Sequence, residues 1–308
     1  MLSLQLAHQL KGKNILLVGA GDVAATRIPK LLPTGCRLTV IAPEISDVIW
    51  KNSPFKKRSD EVDYTDRNWN PESGKIYRIV NRGFQNEDLI CHGDGQSSET
   101  SKSKFLGGLE IDVQELSLDQ NNSGWHMILT CIPDPQLSER IYRGAKILLG
   151  QHILCNVADN PPLCDFYFGS NVILGDKNNK DAKGLQRPIQ ILISSNGNSP
   201  RFTSLLKNEI EQNFGSLPIA SGVGKLGQLR YKVRTISERN KPADCTQPKL
   251  IKYRMEWIRK CTDAFGVKGC HEIDVDKTSE LFSEMFSRLS LDFPSQDKMV
   301  AEYSERPP

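Results

Sequence analysis

The chain is poor in the features that place a protein quickly. Aromatic residues are 7% of its 308 positions, histidines number five, and Lys and Arg exceed Asp and Glu only by 40 to 37. So slight a positive balance makes no strong field for nucleic acid, although a local basic patch for an acidic small molecule stays open. No apolar run approaches the roughly 18 residues a bilayer span needs, so no membrane role is expected. The eight cysteines include no Cys-x-x-Cys, and Cys36, Cys131 and Cys155 lie inside apolar segments. That usage fits reduced, mostly buried thiols and a cytoplasmic protein. Cys261 with Cys270-His271 matches zinc-ligand spacing poorly, and no resident metal is expected. The opening MLSLQLAHQLKGKN has no basic n-region, and Gln and His interrupt its apolar positions, unlike a secretory signal.

What is present is ordinary for a globular chain, 38% hydrophobic and 25% charged, and long enough for two or three domains. NILLVGAGDVAATRIPKLL reads as a buried strand, a glycine turn and a helix in which Pro29 predicts a kink or an early stop. CRLTVIAP supplies the next strand and closes a β-α-β unit. From Lys51 to about Asn81 the chain is polar with little periodicity, and residues 92–122 form a Ser-, Gly- and Asp-rich insertion. WHMILTCIP, PQLSERIYRGAKILL and HILCNVAD restore the strand–helix alternation. CDFYFGSNVILG and RPIQILISSNG are two further strands around a second polar insertion, 176–187, and SPRFTSLLKNEIEQNF is a helix. Beyond Gly215 amphipathic helices take over, with Leu250, Trp257, Ile258, Cys261 and Phe265 on one face and Leu281, Phe282, Met285, Phe286 and Leu289 on another. The expected fold is α/β: an N-terminal Rossmann-type parallel sheet (1–149), a central α/β segment (150–215) and a C-terminal helical domain (216–308).

Gly19-Ala20-Gly21-Asp22-Val23-Ala24 fits the dinucleotide fingerprint. Gly19 allows the tight turn, Gly21 the approach of a pyrophosphate, and Ala24 close packing of helix on strand. Glu44, just after Pro43, is the candidate acid for ribose hydroxyls, and the absence of an adjacent Arg leans the choice to NAD over NADP. Thr130, Cys131, Ile132 and Pro133 end a later strand, where an open parallel sheet keeps its ligand crevice; the alternative is a plain loop with Asp134 capping the next helix. Asp159 ends another strand ahead of Pro161-Pro162. It reads equally as a proton acceptor beside a departing hydride and as a turn-forming residue bonded to backbone. Ser199 and Pro200 open a helix as N-cap and first position beside Arg201. His271, without a second histidine at ligand spacing, reads as a surface or helix-end residue.

LQLAHQLKGKNILLVGAGDVAATR, PTGCRLTVIAP, LTCIPDP, NVADNPPLCDFYFG, ILISSNGNSPRFTSLLKNEIE, KLGQLR, YRMEWIRKCTDAFG and CHEIDV occur in this order. Together they resemble fungal siroheme synthase, a bifunctional precorrin-2 dehydrogenase and sirohydrochlorin ferrochelatase, and the first five also resemble a module of bacterial siroheme synthases. The resemblance implies NAD as cofactor, Fe²⁺ as a transient substrate, tetrapyrrole substrates and a homodimer joined through residues 150–215. It implies that Asp159 serves both activities, and that Asp22-Val23 and Pro43-Glu44 touch the cofactor. It also places His271 near the active site and matches Ser199 to a serine phosphorylated in some bacterial relatives. Arg27, Lys30, Arg201 and Lys207 are basic candidates for the substrate's carboxylates. Two other readings remain: an NAD-dependent dehydrogenase of another small substrate, and a non-enzymatic NAD-binding redox sensor.

Overall fold

A computed structural model describes residues 4–57, 61–89, 124–175, 189–196, 198–241 and 245–305. Both polar insertions expected from the sequence, 92–122 and 176–187, lie outside the described residues. The chain divides into two compact units, Leu4–Tyr167 and Phe168–Pro308 with the first three residues.

In the first unit the short apolar runs become strands because each is covered on both faces. β1 (Asn14–Val18) is buried at every residue. It pairs in parallel with β2 (Arg37–Ile41) on one side, and on the other with a Trp125–Thr130 strand further along the chain. Between β1 and β2, α1 (Asp22–Leu31) runs two residues past Pro29. It then tightens into a 3-10 turn, Leu32–Thr34, that stops at Gly35 in the left-handed region. A short helix, α2 (Asp47–Lys51), follows β2. β3 (Asp63–Thr65) and β4 (Arg78–Val80) come next, inside the polar stretch that lacks periodicity. Three residues each are too few to show an alternation, yet β4 joins β2 in parallel and β3 closes the edge antiparallel. After β5 (Trp125–Thr130), α3 (Pro135–Leu148) leads to β6 (Leu154–Val157), completing a six-stranded sheet ordered β3-β4-β2-β1-β5-β6. Thus β6, which falls after position 150, belongs to the main sheet.

In the second unit β7 (Ser170–Leu174) and β8 (Ile189–Ile193) form an antiparallel pair. CDFYFG, expected to start the first of them, is irregular apart from an isolated bridge between Asn156 and Cys164. α4 (Pro200–Phe214) packs on β7, where the Ser170 and Thr203 hydroxyls meet at 3.0 Å. α5 (Ile219–Arg239), α6 (Gln247–Gly269), α7 (Val275–Ser287) and α8 (Gln296–Tyr303) build a helical core. Trp257 stands edge-on to Phe282 at 5.1 Å, and Phe282 stacks on Phe286. Leu250, Cys261 and Phe265 are buried as expected, whereas Leu289 is 46% exposed. α7 ends at Ser287, and Leu289 turns out of the face with a φ of 49°. No described helix is long and apolar enough to cross a membrane.

Candidate active site

Because β4, β2, β1, β5 and β6 run in parallel, they finish along one edge. Their registers align Val80, Ile41, Val18, Thr130 and Val157 in a single row. The next amide of each central strand bonds across the row: Ala42 to the Val80 carbonyl, Gly19 to Ile41, Cys131 to Val18 and Ala158 to Thr130. The first-unit cofactor candidates and Asp159 therefore leave the sheet at one rim: Gly19 to Ala24, Pro43 and Glu44, Cys131 and Ile132, and Asp159; Arg27 and Lys30 lie on α1.

The two glycines of the turn have different physical reasons. Gly19 has a φ of 102°, and a Cβ there would lie 2.2 Å from the Cys131 carbonyl oxygen. A Cβ on Gly21 would meet nothing within 4 Å. Gly21 is the N-cap of α1 without a side-chain cap, and the Ala25 amide bonds its carbonyl at 3.0 Å. The first-turn amides are thus open to an anion, and the dipole favours one. Asp22 and Val23 are exposed, while Ala24 is fully buried, small enough for α1 to close on the sheet.

Two buried hydroxyls near this turn, Thr130 Oγ1 and Ser46 Oγ, have no hydrogen-bond partner among the described residues. Ser46 is tied to the turn by its amide on the Ala20 carbonyl at 3.3 Å. Open space beside Gly21, a free helix start and two orphaned hydroxyls fit a dinucleotide at this rim. Ser46 is absent from the sequence-derived candidates because nothing in a sequence marks a serine after a strand as buried. Pro43 and Glu44 are exposed where β2 ends.

Asp159 sits at the apex of a turn with φ 58°, a conformation that Asp tolerates better than most residues. The flanks are fastened. The Asn160 amide bonds the Val157 carbonyl, Leu163 bonds Asn160, and the Cys164 thiol donates to the Val157 and Asn160 carbonyls. Asn156 Nδ2 reaches the Phe166 carbonyl at 2.8 Å. The Asp159 side chain is exposed, and among the described residues no hydrogen bond or ion pair engages it. The backbone-bonded turn aspartate considered from the sequence is not what the fold contains.

Burial pushes the Cys131 thiol up to about 11; the Arg27 guanidinium opposes that shift, while the Asp159 carboxylate adds to it. The Arg27 charge also acts on Cys164. One cation of α1 and the free carboxylate therefore stand within electrostatic reach of the β5 exit. Asp134 caps α3 by accepting from the Leu137 amide at 2.9 Å, as the loop reading required.

The second acid of the NVADNPPLCD stretch is used differently. Asp165 pairs with Lys146 at 2.7 Å and accepts the Cys155 amide at 2.7 Å. Lys146 also donates to the Ile153 carbonyl at 2.7 Å. This latch locks α3 and the Asp159 loop to β6, and no motif or spacing in the sequence announces it.

The remaining candidates belong to the second unit. Ser199 occupies the N-cap position but makes no side-chain cap; its own amide instead bonds the Ser195 hydroxyl at 2.9 Å. Arg201 is exposed, and Lys207 lies 3.8 Å from Glu211. His271 has its Nδ1 buried without a hydrogen-bond partner among the described residues, and its Nε2 is 3.4 Å from Glu272. Cys261 and Cys270 are buried thiols, both raised by burial, and no group of three metal-ligating side chains occurs among the described residues.

Comparison with known proteins agrees along the chain. Residues 6–170 match a family described as NAD(P)-binding, 186–213 the sirohaem biosynthesis protein central family and 218–291 its C-terminal family. The siroheme biosynthesis protein of Saccharomyces cerevisiae is 40% identical over 98% of this chain and 98% of its own. Its counterpart in Schizosaccharomyces pombe, also a siroheme biosynthesis protein, is 29% identical over 97% of this chain and 83% of its own. A siroheme synthase of Pseudoalteromonas atlantica is 28% identical over 73% of this chain and 33% of its own. With so close a relative matched almost end to end, this chain belongs to the siroheme biosynthesis protein family.

Proposed function

We propose that the chain is an NAD-dependent precorrin-2 dehydrogenase that also inserts Fe²⁺ into the product, with Asp159 as the shared base. The observation that carries this reading is the Asp159 carboxylate, exposed at the same rim as the glycine turn and without a hydrogen-bond or ion-pair partner among the described residues. NAD⁺, when bound, accepts the hydride. Gly19, Gly21, Asp22, Val23 and Ala24 form its pyrophosphate turn, Pro43 and Glu44 its ribose side, and Thr130, Cys131 and Ile132 the strand end beside it. Oxidation to sirohydrochlorin removes a hydride and a proton, and Asp159 takes the proton. Chelation of Fe²⁺ as substrate releases two pyrrole protons, which the same carboxylate accepts one at a time and passes to water, as it does the proton of the oxidation. Arg27, close to Cys131 and Cys164, supports an acidic substrate at this rim.

The assembly is a homodimer in this reading. Ile173, Leu192, Phe202 and Leu205 of β7, β8 and α4 are each at least 37% exposed, apolar surface that a monomer would leave in water. Light scattering after size exclusion is expected to give twice 34.6 kDa; a monomer at micromolar concentration would remove this part. The seven described cysteines are free, which supports a cytoplasmic setting.

The test of the reaction is spectrophotometric: precorrin-2 with NAD⁺, followed by Fe²⁺. Wild-type protein is expected to convert the first spectrum to the second and then to siroheme. Asp159→Asn is expected to slow both steps by about 10²-fold or more while NAD binding persists. A wild-type protein that leaves precorrin-2 unchanged, or an Asn variant that turns over normally, overturns the proposal. The redox-sensor alternative requires NAD binding without turnover, so the same traces decide it.

A further inference from the structure

At the end of the sheet opposite the rim, two of the five histidines meet. His8, in the exposed segment before β1, places Nε2 at 2.7 Å from Nε2 of His126, the second residue of β5. Their rings lie edge to face, 84° apart, with centroids at 4.9 Å. Two ring nitrogens this close share one proton at most, since one must donate and the other accept; which does so depends on the tautomer. Burial holds His126 below the ordinary histidine range, with His8 and then the Lys13 ammonium adding to the shift.

We propose that His8 and His126 form a two-histidine site for a divalent transition metal, with water completing its coordination. Two imidazole nitrogens bound to a tetrahedral Zn²⁺ stand about 3.4 Å apart, given metal–nitrogen bonds near 2.1 Å. The observed 2.7 Å therefore needs an opening of about 0.7 Å. His8, on an exposed segment, can supply that by a small rotation. Imidazole selects Zn²⁺, Ni²⁺ or Cu²⁺ over Mg²⁺ and Ca²⁺. Among the described residues no third His, Cys, Asp or Glu joins the pair, and Lys13 opposes a dication, so the ion exchanges readily. Four residues along β5, about 13 Å at 3.3 Å per residue, separate His126 from Thr130. The ion therefore cannot share the rim with the reacting groups; its effect is to staple the segment ahead of β1 to the sheet.

The test uses the full chain labelled with ¹⁵N-histidine and Zn²⁺ alone. Zn²⁺ is expected to shift the Nε2 resonances of His8 and His126 together, and calorimetry of His8→Ala to show Zn²⁺ affinity lowered about tenfold or more. His126→Gln, which keeps a polar group on the strand, is expected to do the same. Zn²⁺ shifts confined to other histidines, or wild-type affinity in both variants, overturn the site. Neither variant touches the rim, so precorrin-2 turnover should be unchanged in both, and the resonance shifts stand or fall whatever that assay shows.

Discussion

The rim of the sheet and the wall just behind it are made from the same stretch of chain and follow opposite rules. At the rim, groups are left unsatisfied among the described residues: the Asp159 carboxylate has no hydrogen-bond or ion-pair partner, Thr130 and Ser46 keep buried hydroxyls unbonded, and the space beside Gly21 is open. In the wall behind the Asp159 loop the charged groups are paired. Asp165 answers both Lys146 and the Cys155 amide, and Lys146 also donates to the Ile153 carbonyl. Unpaired polar groups cost stability and persist where a ligand completes them, so the contrast marks which residues serve the fold and which serve the reaction.

Breaking the wall should have the largest effect on stability. Lys146 is 9% exposed at its side chain and Asp165 26%, and removing the lysine strands a half-buried carboxylate beside β6. Lys146→Met is expected to cost about 3 kcal/mol in urea unfolding. Asp159→Asn, changing an exposed side chain, is expected to stay within about 0.5 kcal/mol of wild type. If the two variants unfold alike, the division between wall and rim is wrong.

Parts of this division are legible in the sequence and others are hidden there. β1, α1, β2, β5 and β6 can be read because buried parallel strands are continuous apolar runs and the glycine turn has a spacing set by its geometry. β3 and β4 cannot, since three residues carry no period and their place is set by β2. Asp159 is visible as an acid closing a strand, but its freedom from partners is not. That depends on Cys164 taking the Val157 and Asn160 carbonyls and on Asn156 taking that of Phe166, contacts that only the folded turn creates. The same holds for Asp165, whose lysine partner comes from the preceding helix with nothing in the spacing to announce it. In the helical region the apolar periodicity matches the buried face as far as Phe286 and fails at Leu289, where the helix has already ended.

The finest form of the comparison lies within the glycine turn. Gly19→Ala puts a methyl 2.2 Å from the Cys131 carbonyl at a φ of 102°, so the backbone of the β5 exit must move. That variant is expected to lose about 2 kcal/mol of stability along with NAD binding. Gly21→Ala meets nothing in the free protein and has an ordinary φ of −86°, so its unfolding is expected to match wild type. Its methyl group nevertheless occupies the space where a pyrophosphate would approach the start of α1, and NAD affinity is expected to fall about tenfold, or about 1.4 kcal/mol. Calorimetric titration of NAD⁺ into both variants, beside their urea curves, separates steric damage to the backbone from obstruction of the phosphate site. An alanine at Gly21 that bound NAD⁺ as well as wild type would mean that the phosphates do not rest on this helix.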